Sequence, residues 1–176
     1  MKKSSTIYLI NKLIIFLIIS SLTFGIKTNF IDETLYFNVG FRIFNAGEAV
    51  LSIKKDTLNN NTAYLLSTNI KTNSFLSNFY KVNDKIFSWL SPKDLSLLKT
   101  SKTIRQGSFK RDYISIIKGD SLAISANNII TLPDKVYDPI SFIYFLRLQS
   151  LNIGDSFHFY SYEPNQIKEV FCTIDI

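Results

Sequence analysis

The sequence predicts a mainly β protein, in which an antiparallel meander forms a curved sheet or an incomplete barrel. One short covering helix is expected near residues 139–148, and an N-terminal signal helix precedes the sheet. Two observations predict this class. From Thr34 onward, turn residues separate short runs of alternating apolar side chains. The chain also holds 15 Phe and 9 Tyr, residue types that pack well across strands.

Residues 1–25 predict an export signal. Lysines at the start precede an apolar run from Leu13 to Phe24. Its core of about 12 residues suits a signal peptide and falls short of the roughly 20 that a membrane span needs. Thr23 and Gly25 supply small residues for cleavage after Gly25. We therefore expect a periplasmic or otherwise exported protein, with an uncleaved signal that anchors it in the inner membrane as the alternative.

Composition limits the possible partners. The net charge is +6, but three of the 20 basic residues lie in the signal, which leaves 17 against 14 acidic residues, or +3. This balance does not predict a nucleic-acid partner. The single cysteine, Cys172, excludes an intrachain disulfide and is expected to be a small buried residue. The length predicts one domain, over residues 30–176.

The clearest predicted hairpin joins a strand over residues 34–44 to a strand over residues 48–55. Asn45–Gly47 are expected to form the tight turn between them, because Asn and Gly tolerate positive φ. The apolar positions that share one face of this hairpin are Leu35, Phe37, Val39, Phe41 and Ile43, followed by Ala49, Leu51 and Ile53.

Later runs predict further strands, and one segment predicts a helix. The strands are expected over residues 62–72, within 75–90, and over 97–105, 110–117, 121–126, 156–162 and 167–176. Asp138 can N-cap a helix that Pro139 begins, and apolar residues then recur three and four apart. The chain stops at Ile176 within the last predicted strand, so the domain is expected to be incomplete at its C-terminus.

Three separated pieces of the chain carry a family resemblance. They are residues 33–39 (ETLYFNV) with 45–49 (NAGEA), 79–84 (FYKVND), and 137–147 (YDPISFIYFLR) leading to 152–155 (NIGD). In this order they resemble the bacterial domain-of-unknown-function 3108 family, a group of exported envelope proteins. The third piece is similar to the family's signature of Asp-Pro-x-Ser, Tyr-x-x-Arg and then Gly. The resemblance implies export and a β-rich fold, and it implies no reaction.

The predicted helix carries the most distinctive polar group, which consists of Asp138, Ser141, Tyr144 and Arg147. Ser141, Tyr144 and Arg147 are three residues apart in turn, so they can share one side of the helix. One hypothesis is that these three bind an anionic or glycan group, which Arg can hold with two hydrogen bonds. The alternative, which we favour, is helix capping plus an Arg–carboxylate tie to Glu48.

Two other features are candidate sites. His158, the only histidine, is expected to be structural or at the surface rather than catalytic or metal-binding. The basic residues Lys99, Lys102, Arg105, Lys110 and Arg111 concentrate around one hairpin. They could contact anionic lipid headgroups or phosphates, but a solvated strand edge is the favoured interpretation. The sequence predicts no catalytic residue, metal site or cofactor.

The leading functional hypothesis is a non-enzymatic envelope protein whose curved sheet shelters an apolar ligand, such as a lipid or an acyl chain. The aromatic excess and the covering helix motivate it, since this layout resembles periplasmic lipoprotein carriers. The alternative is a structural or assembly partner in the envelope that pairs through exposed strand edges. A glycan-cleaving enzyme, which would need two close carboxylates in a cleft, is the third hypothesis.

Overall fold

The computed structural model describes residues 30–41, 44–126, 128–164 and 166–175. Within these ranges the helices are α1 (Ser74–Ser77) and α2 (Ser141–Leu146). The strands are β1 (Thr34–Phe41), β2 (Phe44–Leu58), β3 (Asn61–Thr72), β4 (Asn83–Leu90), β5 (Leu97–Gln106), β6 (Phe109–Lys118), β7 (Leu122–Ser125), β8 (Asn128–Thr131), β9 (Val136–Tyr137), β10 (Ser156–Glu163) and β11 (Gln166–Thr173).

The strands form two sheets. The larger sheet has eight strands in chain order from β1 to β8, and each strand runs antiparallel to the next. The smaller sheet has the order β11-β10-β9, and its β9–β10 pair is parallel. Because β1 and β8 lie at opposite edges, the large sheet is not closed. The prediction of a mainly β fold built on an antiparallel meander is therefore confirmed.

One face of the large sheet, termed the inner face, carries the hydrophobic core. Directly paired residues point to the same side of a sheet, and Ile53 pairs with Leu66, which in turn pairs with Ser88. All three side chains are buried. Apolar side chains from the rest of the chain complete the core over this part of the sheet; they are Phe30, Leu132, Val136, Tyr144 and Tyr162.

The first hairpin was predicted with the wrong turn. Asn45–Gly47 lie inside β2, where Gly47 pairs with Val39 of β1, so they do not form the turn. Gly47 serves packing instead: a Cβ there would lie 2.1 Å from the backbone oxygen of Lys71 on β3. Close backbone approach is the second common reason for glycine in a strand. The face prediction for Leu51 and Ile53 is confirmed, because both are buried.

The predicted covering helix is present as α2, shorter than predicted. Its buried residues are Ser141 and Tyr144, and Tyr144 belongs to the core. On its other side Phe142 stacks on Phe159 of β10, with ring centroids 3.6 Å apart. The helix therefore lies between the large sheet and the small sheet. This position explains how the six residues of α2, three of them aromatic, close one part of the inner face.

Three short elements were not predicted. They are α1, β8 and the two-residue β9. A segment of two to four residues carries too little periodicity to be recognised, and its structure depends on the partner it meets in the folded chain. Strand β9, for example, exists because Val136 and Tyr137 pair with Tyr160 and Ser161 of β10.

The predicted signal over residues 1–25 lies outside the described residues. Neither helix in the described part of the chain has the length and apolar content of a membrane span. Export, cleavage of the signal and the boundaries of the domain therefore stay predictions. Cys172 lies in β11, where it is half-buried and not bonded to another cysteine.

Candidate functional site

The segment before α2 is held by the carboxylate of Asp138, which is 2% exposed. One oxygen accepts the backbone N–H of Ile140 at 3.0 Å, and the Asp138 carbonyl accepts the Ser141 hydroxyl at 2.9 Å. The capping role predicted for Asp138 thus takes the form of a turn ahead of the helix, whose N-cap position is Ile140. This geometry fixes the direction in which α2 leaves the sheet.

The second Asp138 oxygen reaches the inner face of the large sheet. It lies 3.1 Å from Ser88 Oγ and 3.6 Å from the ammonium of Lys102, whose side chain is 9% exposed. Ser88 Oγ also lies 3.4 Å from Thr100 Oγ1. A lysine and an aspartate are rarely this buried unless they are paired. This buried polar layer joins the chain before α2 to β4 and β5.

Two buried hydroxyls have no hydrogen-bond partner among the described residues: Ser115 Oγ and the Tyr144 hydroxyl. Ser115 pairs with Thr100 across β5 and β6, so it borders the Lys102–Asp138 pair. Burial raises the pKa of Tyr144, and the nearby Glu33 carboxylate raises it further, so this phenol stays protonated. Each group is therefore a buried hydrogen-bond donor without an acceptor in the described part of the chain.

Arg147 at the end of α2 binds a carboxylate, but not the predicted one. Its two terminal nitrogens donate to the two oxygens of Glu33, at 2.5 and 3.0 Å. The hydrogen bond from Arg147 holds the pKa of Glu33 below its usual range. The predicted partner, Glu48, lies instead 3.8 Å from Lys71. The predicted tie to Glu48 was wrong. Glu48 lies near the start of β2, whereas Glu33, the residue that Arg147 binds, directly precedes β1.

The structure brings Ser141, Tyr144 and Arg147 to one side of α2, as their spacing predicted. That side faces the protein: Ser141 and Tyr144 are fully buried, and the Arg147 guanidinium lies 5.5 Å from the Tyr144 ring. Ser141 and Arg147 already bind groups of the chain itself. Recognition of an anionic or glycan group by these three residues stays a prediction.

Beyond the buried polar layer, the inner face continues toward the ends of β3 and β5 with apolar side chains that nothing fully covers. Register places Phe37 opposite Ala49, Ala49 opposite Ile70, and Ile86 opposite Lys102. Phe37 is 44% exposed and Val39 is 43% exposed. We call this surface the open half; its residues are Phe37, Val39, Ala49, Ile70, Ile86, Ile104 and Tyr113.

The predicted basic cluster does not form one surface. Lys102 points to the inner face and is buried, whereas Lys99 lies 4.8 Å over the Trp89 ring on the opposite face. Arg105 donates two hydrogen bonds to Asp112, both 2.9 Å. Of the five, Lys110 and Arg111 are the exposed residues. Successive side chains of β5 point to opposite faces of the sheet, so Lys99 and Lys102 are separated although they are close in sequence.

His158 lies at the surface on β10. Its Nε2 is 2.8 Å from Glu169 Oε1, and its ring stacks on Phe171 at 4.7 Å. Both partners lie on β11, so the contact is a cross-strand pair of the small sheet. Within the described ranges, no group of three or more His, Cys, Asp or Glu side chains is arranged to hold a metal ion.

Comparison with known families identifies the domain. The model of a protein family described as "Protein of unknown function (DUF3108)" matches residues 34–171. The chain belongs to the DUF3108 family. No curated protein and no solved structure matches it. The resemblance stated from sequence is thus confirmed, and the match extends from β1 into β11.

Within this DUF3108 chain, the residues that suggested the family are structural ties between distant elements. Asp138 binds β4 and β5, and Arg147 binds the segment before β1 through Glu33. No sequence pattern indicates the partners Lys102 and Glu33. In the sequence Lys102 belongs to a run of basic residues. Only its position on the inner face of β5 distinguishes it from Lys99.

Proposed function

We propose that this DUF3108 chain is an exported envelope protein that shelters one apolar chain of a lipid or fatty acid in the open half of its inner face. The observation that carries the proposal is the division of that face. One half is closed by α2 and the small sheet, whereas the other presents apolar side chains that are partly exposed. Exposed apolar area of this kind favours an apolar ligand because contact removes it from water.

Two charged groups on the inner face, Lys102 and Asp84, are engaged within the chain, whereas Arg111, at the β6 end of the same face, is exposed. Lys102 is neutralised by Asp138. Asp84 accepts Gln106 Nε2 at 2.6 Å and the backbone N–H of Arg105 at 2.8 Å. Since both charges have internal partners, neither needs a ligand. The open half therefore suits the hydrocarbon part of an amphiphile, whose polar head would stay in water beyond the strand ends.

Binding of a dansyl-labelled undecanoic acid tests the proposal. Its fluorescence should rise on binding to the wild-type protein. Phe37→Asp places a carboxylate in the open half and should weaken binding at least about tenfold, because burying an unpaired charge costs more than 1.4 kcal/mol. Phe37 is 44% exposed, so the folded state should tolerate the change.

Phe87→Asp is the matched control. Phe87 is 39% exposed and pairs with Ser67 and Ser101 on the opposite face of the same sheet. It should leave the affinity within about twofold of wild type, which is far less than 1.4 kcal/mol. Equal losses in both variants, or no saturable binding to wild type, would exclude the open half as the site.

Export is tested separately by fractionation and mass spectrometry of the protein from its own cells. The proposal expects the protein outside the cytoplasm with a mass that lacks residues 1–25. Full-length protein in the inner membrane would support the uncleaved anchor. Full-length protein that is soluble in the cytoplasm would contradict export, whether or not the open half binds lipid.

A second candidate function rests on β1. This strand is an edge of the large sheet, and Tyr36 on it is 79% exposed. An exposed edge with apolar side chains can pair with a strand of another protein. A photo-crosslinking residue at position 36 should then capture one discrete partner in intact cells. A ligand carrier without a stable partner should give no such product.

A further inference from the structure

Four exposed aromatic side chains gather at one end of the large sheet. Phe75, Phe79 and Tyr80 lie on the connection between β3 and β4, and Phe109 begins β6; their exposures are 68%, 77%, 54% and 47%. Two contacts join the connection to the β5–β6 turn. The N–H of Gly107 donates to the Lys81 carbonyl at 2.8 Å, and a Cβ on Gly107 would lie 2.8 Å from the Tyr80 ring. We call this end the aromatic tip.

Positive charge accompanies these rings. Lys81, Lys110 and Arg111 are exposed, and within the described ranges none of them forms a salt bridge. The Arg111 guanidinium lies 5.6 Å over the Phe109 ring.

The acidic groups near this end are already engaged. Asp84 is buried against Gln106, Asp112 is bound by Arg105, and Glu48 faces Lys71. The aromatic tip therefore presents a positive field around exposed apolar rings, with its neighbouring carboxylates paired.

We propose that the aromatic tip docks on the surface of an anionic lipid bilayer. Aromatic side chains favour the membrane–water interface, where the ring is shielded from water and polar groups remain hydrated. Each lysine or arginine near an anionic leaflet adds about fivefold to partitioning. The combination of unpaired cations with exposed rings matches this surface better than a protein interface, whose core is depleted of charge. The proposal does not depend on ligand binding in the open half.

A tryptophan placed in the tip tests docking directly. Trp89 is the only tryptophan of the chain, so Trp89→Phe combined with Phe79→Trp leaves one reporter. With vesicles of phosphatidylcholine and phosphatidylglycerol, its emission should shift to the blue and be quenched by brominated lipid. The same background with Phe171→Trp, at a residue 73% exposed on β11, is the matched control and should show neither change. This position-specific readout separates the tip from any contribution of residues 1–25.

Charge and apolar contacts are then removed in turn. Lys81→Gln with Lys110→Gln should lower partitioning to the anionic vesicles roughly 30-fold, and added salt should lower that of wild type. Phe75→Ser with Phe79→Ser should also weaken it, whereas Ile153→Ser with Phe171→Ser should not. Failure of the tip tryptophan to respond would overturn the proposal. A response that is equal on uncharged vesicles, or one that needs an added protein, would overturn it as well.

Discussion

Lys102 and Asp138 form the most buried ion pair among the described residues. Lys102→Met should cost about 3–5 kcal/mol of unfolding free energy, because it leaves a buried carboxylate without its cation. Asp138→Asn should cost a similar amount. The double variant should be more stable than either single variant, since neither charge is then left alone. Urea unfolding of the three variants measures this coupling.

The exposed pair of Lys168 and Glu163, 2.9 Å apart, provides the control. Lys168→Met should change the unfolding free energy by less than about 1 kcal/mol, as is usual for surface ion pairs. Strictly additive losses at Lys102 and Asp138 would show that the two side chains do not interact in the way described.

Asp94 makes stability depend on pH. Although partial burial opposes its ionisation, hydrogen bonds from Lys135 and Ser96 lower its pKa from 3.8 to about 2. A carboxyl group with a depressed pKa stabilises the fold above its unfolded pKa, and this contribution is lost as the pH falls from about 4 toward 2. The Lys135 ammonium, 2.7 Å away, should cause much of the effect.

Lys135→Met should therefore destabilise the protein more at pH 6 than at pH 2, because near pH 2 about half of the wild-type Asp94 carboxyl is protonated and its attraction to Lys135 is correspondingly reduced. Unfolding measured across this pH range in the two proteins gives the difference directly. A difference that stays constant over the range would contradict the assignment to Asp94.

Tyr144 presents a buried hydroxyl without a partner in the described part of the chain. Tyr144→Phe removes that polar group and keeps the packing against Phe30, whose ring centroid is 5.3 Å away. We expect the unfolding free energy to stay level or rise by about 1 kcal/mol. A loss of more than about 1 kcal/mol in urea unfolding would show that the hydroxyl makes a necessary hydrogen bond.

At the scale of elements, the β2–β3 pair depends on Gly47. Gly47→Ala would place a Cβ 2.1 Å from a backbone oxygen of β3, a contact that only a shift of the strands can relieve. We expect a loss of about 3 kcal/mol, the upper end for overpacking. Ala46→Gly at the neighbouring position is the control, with a loss of about 1 kcal/mol or less from backbone entropy. Thermal unfolding compares the two, and a mild effect of Gly47→Ala would argue for a wider strand spacing.

Sequence reasoning succeeded with elements whose pattern is repeated several times. Alternation in β3 and three- to four-residue spacing in α2 are examples, because burial imposes both periods along the segment. It failed at the first turn, since Asn and Gly suit a turn and a bulged strand equally well. The close backbone approach that decides the matter is made to Lys71 on β3, which lies outside the hairpin itself.

At the scale of the whole molecule, the family and the class of fold could be predicted, but the candidate site could not. The site depends on which residues of β1 to β6 share the inner face and on how far α2 covers it. Lys102 illustrates the limit: its partner Asp138 lies on a separate segment of the chain. Charge alternation along one strand gives no indication of such a pair.

Methyl NMR of isoleucine-labelled protein, with decanoic acid added, tests most directly whether the open half binds an apolar chain. We expect shifts and ligand contacts at Ile70, Ile86 and Ile104 in the open half. Ile114 and Ile116, which are exposed on the opposite face, should not change. Contacts that appear on the opposite face, or uniform shifts on both faces, would contradict an apolar ligand site on the inner side of the sheet.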